Sequence, residues 1–161
     1  MSMIGQYARL TPAELQRVID DCESGLDFVE ELAEADEGSE SRHHDTDKAW
    51  DALDFLLSRR SFPVGIVHGE EEIPGADDWG YGPPRFLTPE RVRIAAEVLA
   101  ATPTDALLDG VTVADLAEAG LYPNIWDQDY ALDYVTNIYE ALVPFFQAAA
   151  HDGHAMLIWL G

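Results

Sequence analysis

The sequence predicts an α+β fold: one domain over residues 1–161, with a small, mostly antiparallel sheet covered by helices. Three observations carry this expectation. The chain is long enough for one ordinary core and short for two, and 47% of its 161 residues are hydrophobic, enough to build that core. Segments with strand character near residues 3–10, 62–68, 84–87 and 154–160 are separated by helical pairs, which argues against a regular doubly wound sheet. The last of them, His154–Leu160, is apolar on both faces, as a strand in the middle of a sheet must be.

Taken in order, Met3–Leu10 alternates, with Ile4, Gln6, Ala8 and Leu10 on one face and Tyr7 and Arg9 on the other. Thr11-Pro12 then opens a helix: Thr11 can accept a backbone N–H as N-cap, and Pro12 loses no hydrogen bond at the first helical position. Leu15, Val18, Ile19 and Cys22 follow at helical spacing, which makes Cys22 a small core residue rather than a reactive thiol. The same strand-to-helix turn recurs at Leu87-Thr88-Pro89, whose helix continues through Val92, Ala95, Ala96 and Leu99.

Residues 20–54 hold fourteen acidic residues against Arg42 and Lys48. Asp27–Leu32 has helical character, whereas Glu34–His44 has almost no apolar residues and reads as a solvated acidic loop. His43 and His44 are expected to be exposed there, and without a spaced third ligand no metal site is expected. Asp45–Ser58 is the next helix, capped by Asp45 or Thr46 and anchored in the core through Trp50, Leu53 and Leu57. Its Asp47, Asp51 and Asp54 fall at i, i+4 and i+7, a ladder of like charges along one flank that reads as a solvated face, the alternative being a cation or acid/base site at Asp51 and Asp54.

Phe62–His68 reads as a short strand or extended segment bounded by Pro63 and Gly69. Residues 69–85 are loop by composition, and in Trp79–Arg85 the glycines 80 and 82 permit unusual backbone angles while Pro83 and Pro84 stiffen the exit. Trp79 and Tyr81 either cap the core or line a pocket with Arg85. Val111–Ala119 forms a short helix with Thr112 as N-cap and Gly120 as its stop. An aromatic turn, Leu121–Asp127, leads into a long amphipathic helix from about Gln128, striped by Leu132, Val135, Ile138, Tyr139, Leu142, Phe145 and Phe146 and kinked at Pro144.

Composition excludes several functions. With 31 acidic and 9 basic residues the net charge is −22, a field that repels phosphate backbones and anionic membranes. A charge-steered partner would be a cation or a basic protein; plain solubility is the other reading of the same charge. One cysteine, Cys22, allows no intramolecular disulfide. The longest apolar runs, Ile94–Ala101 and Ala141–Ala150, fall far short of the ~20 residues that span a bilayer, and Met1–Leu10 lacks the pattern of a secretory signal. A cytoplasmic protein is expected. Phosphate-cradling glycine loops, a two-histidine zinc helix, a serine nucleophile elbow and basic patches with interleaved aromatics do not occur, so neither a cofactor nor nucleic acid is expected.

At four places the chain resembles the YfbM-like family of small bacterial proteins, a domain of unknown function. These are the opening Met-Ile-Gly with its strand, Asp45-Thr46-Asp47-Lys48-Ala49-Trp50, the run Gly80–Pro89, and the aromatic-rich end. The resemblance implies a single α+β domain and no established activity. In that family histidine is common one and four residues after the tryptophan, where this chain has Asp51 and Asp54, so a histidine-dependent role would be altered here.

Two functional expectations follow. One is a non-enzymatic acidic module that engages a basic partner, as immunity proteins neutralise a basic toxin or nuclease. The other is a small-molecule-binding protein or enzyme, whose cleft lies between the Asp45–Ser58 helix and the Trp79–Arg85 loop. Its candidate pocket residues are Asp47, Trp50, Asp51, Asp54, Tyr81 and Arg85, with carboxylates suited to a divalent cation or to acid/base work.

Overall fold

In a computed structural model, which describes residues 2–35 and 41–161, the sheet is organised around its most apolar strand. That strand, β5 (Ala155–Leu160), lies in the middle of the order β2-β1-β5-β4-β3, every pairing antiparallel. On one side it pairs with β1 (Gly5–Leu10) in a six-residue ladder running from Gly5↔Leu160 to Leu10↔Ala155. On the other it pairs with β4 (Arg85–Leu87). The edges are short and polar: β2 (His43–Asp45) and β3 (Glu71–Glu72). Short charged edges discourage pairing with other chains.

The two-residue period of the strands sorts the core into two layers. Tyr7, Leu87, Met156 and Ile158 face one side, where they pack with α3 (Trp50–Arg59), α4 (Pro89–Ala100) and α7 (Ala131–His151). The short α5 (Thr104–Leu107) and α6 (Val113–Glu118) complete this side with Leu107 and Leu116. Ala8, Leu10, Phe86, Ala155, Leu157 and Trp159 face the other side, beneath α1 (Pro12–Asp20) and α2 (Gly25–Ala35). The fold is thus α+β, with helices over both faces of one small sheet. Among the described residues no helix is long and apolar enough to cross a membrane.

Local chemistry sets the helix starts. Thr11 accepts the Glu14 amide while the Glu14 carboxylate accepts the Thr11 amide, a reciprocal box that satisfies two donors, and Thr112 with Asp115 repeats it at α6. Thr88 accepts the Arg91 amide, but with arginine in third position only half of the box forms. Each such cap contributes about 1 kcal/mol. Pro144 lies inside α7, which runs unbroken over 21 residues.

The segment Phe62–His68, expected as a strand, is not one. Pro63 has no amide to donate, and the neighbouring amides close locally, Phe62 on Leu57 and Gly69 on Gly65. Its apolar residues Val64, Ile66 and Val67 are buried all the same, and the Tyr7 hydroxyl donates to the Ile66 carbonyl at 2.7 Å. The sheet takes its fourth and fifth strands from polar sequence instead. Of the expected acidic loop at 34–44, Glu34 belongs to α2, His43 and His44 to β2, and residues 36–40 lie outside the described residues.

The predicted Asp45–Ser58 helix is divided. Residues 47–49 form a single 3-10 turn, and α3 begins at Trp50. The Asp45 carboxylate accepts the Asp47 amide at 2.9 Å, which holds Asp47 in the left-handed region at φ 47°. Thr46 does not cap; it is fully buried against β1, with its amide on the Gly5 carbonyl. A Cβ at Gly5 would sit 2.4 Å from the Thr46 hydroxyl, so only glycine permits this approach.

Candidate functional site

The aspartates of the predicted pocket point to three different partners. Asp47 lies outside α3, and its carboxylate accepts the Tyr134 hydroxyl at 2.8 Å. Asp51 accepts the Tyr122 amide at 2.9 Å. Asp54 faces His68, with 3.9 Å between its Oδ2 and the histidine Nε2, both side chains about half exposed. Trp50 ties these neighbourhoods together: its indole donates to the Met3 carbonyl at 3.0 Å, stacks on Tyr122 and meets His68 edge-on.

Tyr81 and Arg85 come together with His68 around a cavity of about 190 Å³, floored by Ile158 and Trp159. Arg85 also pairs with Glu72 across the β3–β4 hairpin at 3.1 Å. Asp54 reaches this group only through His68, and Asp47 and Asp51 are spent on fixing the 3-10 turn and the 122 loop. The loop that carries Tyr81 is fastened to the end of β5, with the Tyr81 amide on the Leu160 carbonyl and the Trp79 amide on Gly82. Gly80 sits at φ 141°, and a Cβ there would come within 2.8 Å of the Leu160 oxygen. Trp79 itself is buried, edge-on to Trp159 at 5.2 Å between ring centroids.

A larger groove, about 440 Å³, lies on the other side of those indoles, between α2 and the end of β5. Its lining is apolar at Leu26, Val29, Ala33, Trp79 and Trp159, and acidic at Glu30 and Glu34. Both glutamates are exposed, and they stand one helical turn apart, where like charges repel. Glu34 also lies in the last turn of α2, where the backbone carbonyls already make the potential negative, and that turn holds no basic residue. Among the described residues no cation pairs with either. Arg9, Arg42, Arg85 and Arg91 close instead on Asp152, Glu14, Glu72 and Glu70.

A third group is invisible to sequence spacing. Arg9, His43, His44, His151 and Asp152 line a cleft of about 410 Å³ against Phe145 and Pro144 of α7. Far from lying in an exposed loop, His43 and His44 are half-buried in β2, and burial lowers the pKa of each. His154, just before the last strand, is buried and lowered in the same way. Among the described residues no group of three or more histidine, cysteine, aspartate or glutamate side chains could hold a metal ion.

A family model described as "Domain of unknown function (DUF1877)" matches residues 1–159. No curated protein matches the chain. A solved structure does, that of YfbM from Escherichia coli, itself described as a protein of unknown function: identity is 18%, with 99% of this chain and 100% of that chain covered and a TM-score of 0.71. At that identity the likeness speaks to the fold.

Proposed function

The chain belongs to this family of unknown function, and on that premise we propose that it is a non-enzymatic acidic module that engages a basic protein partner. The observation that carries the reading is the α2 groove, with Glu30 and Glu34 at its rim and Trp79 and Trp159 in its floor. An arginine or lysine side chain has the matching chemistry: an apolar stem for the floor, a face-on approach to indole, and a charge for the rim. The binding of such a cation relieves a repulsion that α2 carries by itself. The remaining excess of carboxylates, 31 against 9 basic residues, steers a basic partner toward the surface from a distance. Neutralising a basic toxin or nuclease is one form this role takes.

The small-molecule alternative draws on the cavity beside Tyr81, Arg85 and His68. It loses weight because Asp47 and Asp51 are occupied by Tyr134 and the Tyr122 amide, which leaves Asp54, of the three aspartates, facing a residue of that cavity, His68.

Isolation of partners at low and high ionic strength tests the proposal. At roughly 50 mM salt a basic protein is retained, and at roughly 500 mM, where the screening length shrinks to a few ångströms, it is released. Retention of nothing at low salt, or of a partner indifferent to salt, contradicts it.

A further inference from the structure

Arg9 is an arginine on the inward-facing row of a central strand, only 6% exposed, and among the described residues no other arginine, lysine, aspartate or glutamate is buried. Its guanidinium lies over the Phe145 ring at 5.8 Å and reaches Asp152 through Nη2 at 3.4 Å, a long contact to a side chain that is itself 47% exposed. The Nε of Arg9 has no hydrogen-bond partner. This is an N–H that can only donate, and a buried donor left unpaired is destabilising until something accepts from it. Two further buried nitrogens share its condition, Nε2 of His44 and Nδ1 of His154. His44 stacks on Phe145 at 5.0 Å and lines the same cleft as Arg9.

We propose that this cleft between β1, β2 and α7 is a binding site for a small organic anion, a carboxylate on an aromatic or aliphatic body. Nε–H and the nearer Nη2–H of an arginine lie in the guanidinium plane and point off the same edge, the fork that holds a carboxylate by two parallel hydrogen bonds. The weak hold of exposed Asp152 on Nη2 is displaced by the incoming group, which takes Nε as well. His44, held neutral by its burial, donates from Nε2 to the same carboxylate while Phe145, Pro144 and Ala148 cover the body of the ligand. The volume of about 410 Å³ suits a molecule of benzoate size or somewhat larger. A protein of net charge −22 repels anions at long range, so the ligand is small and enters singly. The site faces α7 and shares with the α2 groove only His43, which the proposed contacts do not use, so the two proposals fail or stand separately.

Titration with sodium benzoate, followed by the Arg9 Nε–H and His44 ring signals in ¹H–¹⁵N spectra, is the test. Benzamide, its neutral isostere, and inorganic phosphate serve as the other probes. Benzoate shifts both signals and saturates in the millimolar range, benzamide leaves them in place, and Arg9→Lys, which keeps the charge but loses the fork, weakens benzoate at least about tenfold. His44→Phe keeps the stack on Phe145 and removes the donor, so it weakens benzoate without depending on the fold tolerating a change at Arg9. The proposal is overturned if the Arg9 and His44 signals stay still up to about 20 mM benzoate, if benzamide binds equally, if phosphate binds more tightly, or if both variants bind benzoate as the parent does.

Discussion

The Tyr134 hydroxyl donates to the Asp47 carboxylate at 2.8 Å and accepts the Lys48 amide at 3.1 Å, pinning the 3-10 turn before α3 onto α7. Burial and the adjacent carboxylate together push the phenol up to about 12, so it remains a donor throughout the range in which the protein is handled. A carboxylate that looks from its spacing like part of a charged ladder is thus a structural acceptor. Tyr134→Phe leaves both Asp47 and the Lys48 amide without this partner and lowers stability by about 1–2 kcal/mol, read from the urea midpoint, while partner binding is unchanged.

Asp51 separates structural from chemical roles more sharply. Its oxygen accepts the Tyr122 amide, and Tyr122 in turn carries the face of Trp50. Asp51→Asn keeps an acceptor at that place and costs only a few tenths of a kcal/mol, whereas Asp51→Ala strands the amide and costs about 1 kcal/mol. Equal loss in the two variants, measured by denaturant unfolding, contradicts a purely acceptor role.

One buried and two half-buried histidines give stability a direction with pH. Burial holds the pKa of His43, His44 and His154 below the ordinary value of 6.5, against opposing pulls from Asp45 on the first two and from Asp152 and Glu14 on the third. Below that value the unfolded chain takes up protons that the folded chain resists, so folding stability declines as pH falls from about 7 toward 5. Glu14 and Glu70, lowered by Arg42 and Arg91, contribute stability above the ordinary carboxylate range and lose it only at more acid pH. Melting temperatures at pH 7.5, 6.5 and 5.5 fall in order, and His44→Phe flattens part of the slope.

Gly80 holds the loop that sets both indoles of the groove. With φ at 141° and backbone atoms of Leu160 and Gly161 within 2.8 Å of any Cβ, Gly80→Ala strains the connection by about 1–3 kcal/mol. The near-ultraviolet circular dichroism from Trp79 and Trp159 changes with it, since their edge-on contact depends on this loop.

What was legible in the sequence was whatever depends on local patterning. Alternation in β1, apolarity on both faces in β5, the Thr-Pro starts of α1 and α4 and the long stripe of α7 all follow from residues within one turn or one strand of each other. Edge strands escaped because β2 and β3 bury little and carry histidine, aspartate and glutamate, while Phe62–His68 misled because its apolar residues are buried without entering the ladder. The YfbM-like resemblance is borne out by the family model and the fold. Of the predicted pocket, Tyr81 and Arg85 share a cavity, and Trp50 and Asp54 touch it through His68, a residue no spacing singled out. The Arg9 cleft could not be read at all, since it joins residues 9, 44, 145 and 152 only through the β1–β2 pairing and the fall of α7 across it.

The charge arrangement on α2 offers the most direct test of the proposed function. In Glu30→Gln/Glu34→Gln the repulsion between the two side chains and the conflict of Glu34 with the helix dipole both disappear, so the protein gains a few tenths of a kcal/mol or more in stability. The same change removes the acidic rim from the groove. We expect the double variant to melt higher than the parent and to bind the basic partner retained at low salt at least about tenfold more weakly. Unchanged affinity in a folded double variant contradicts the assignment of the α2 groove as the partner site.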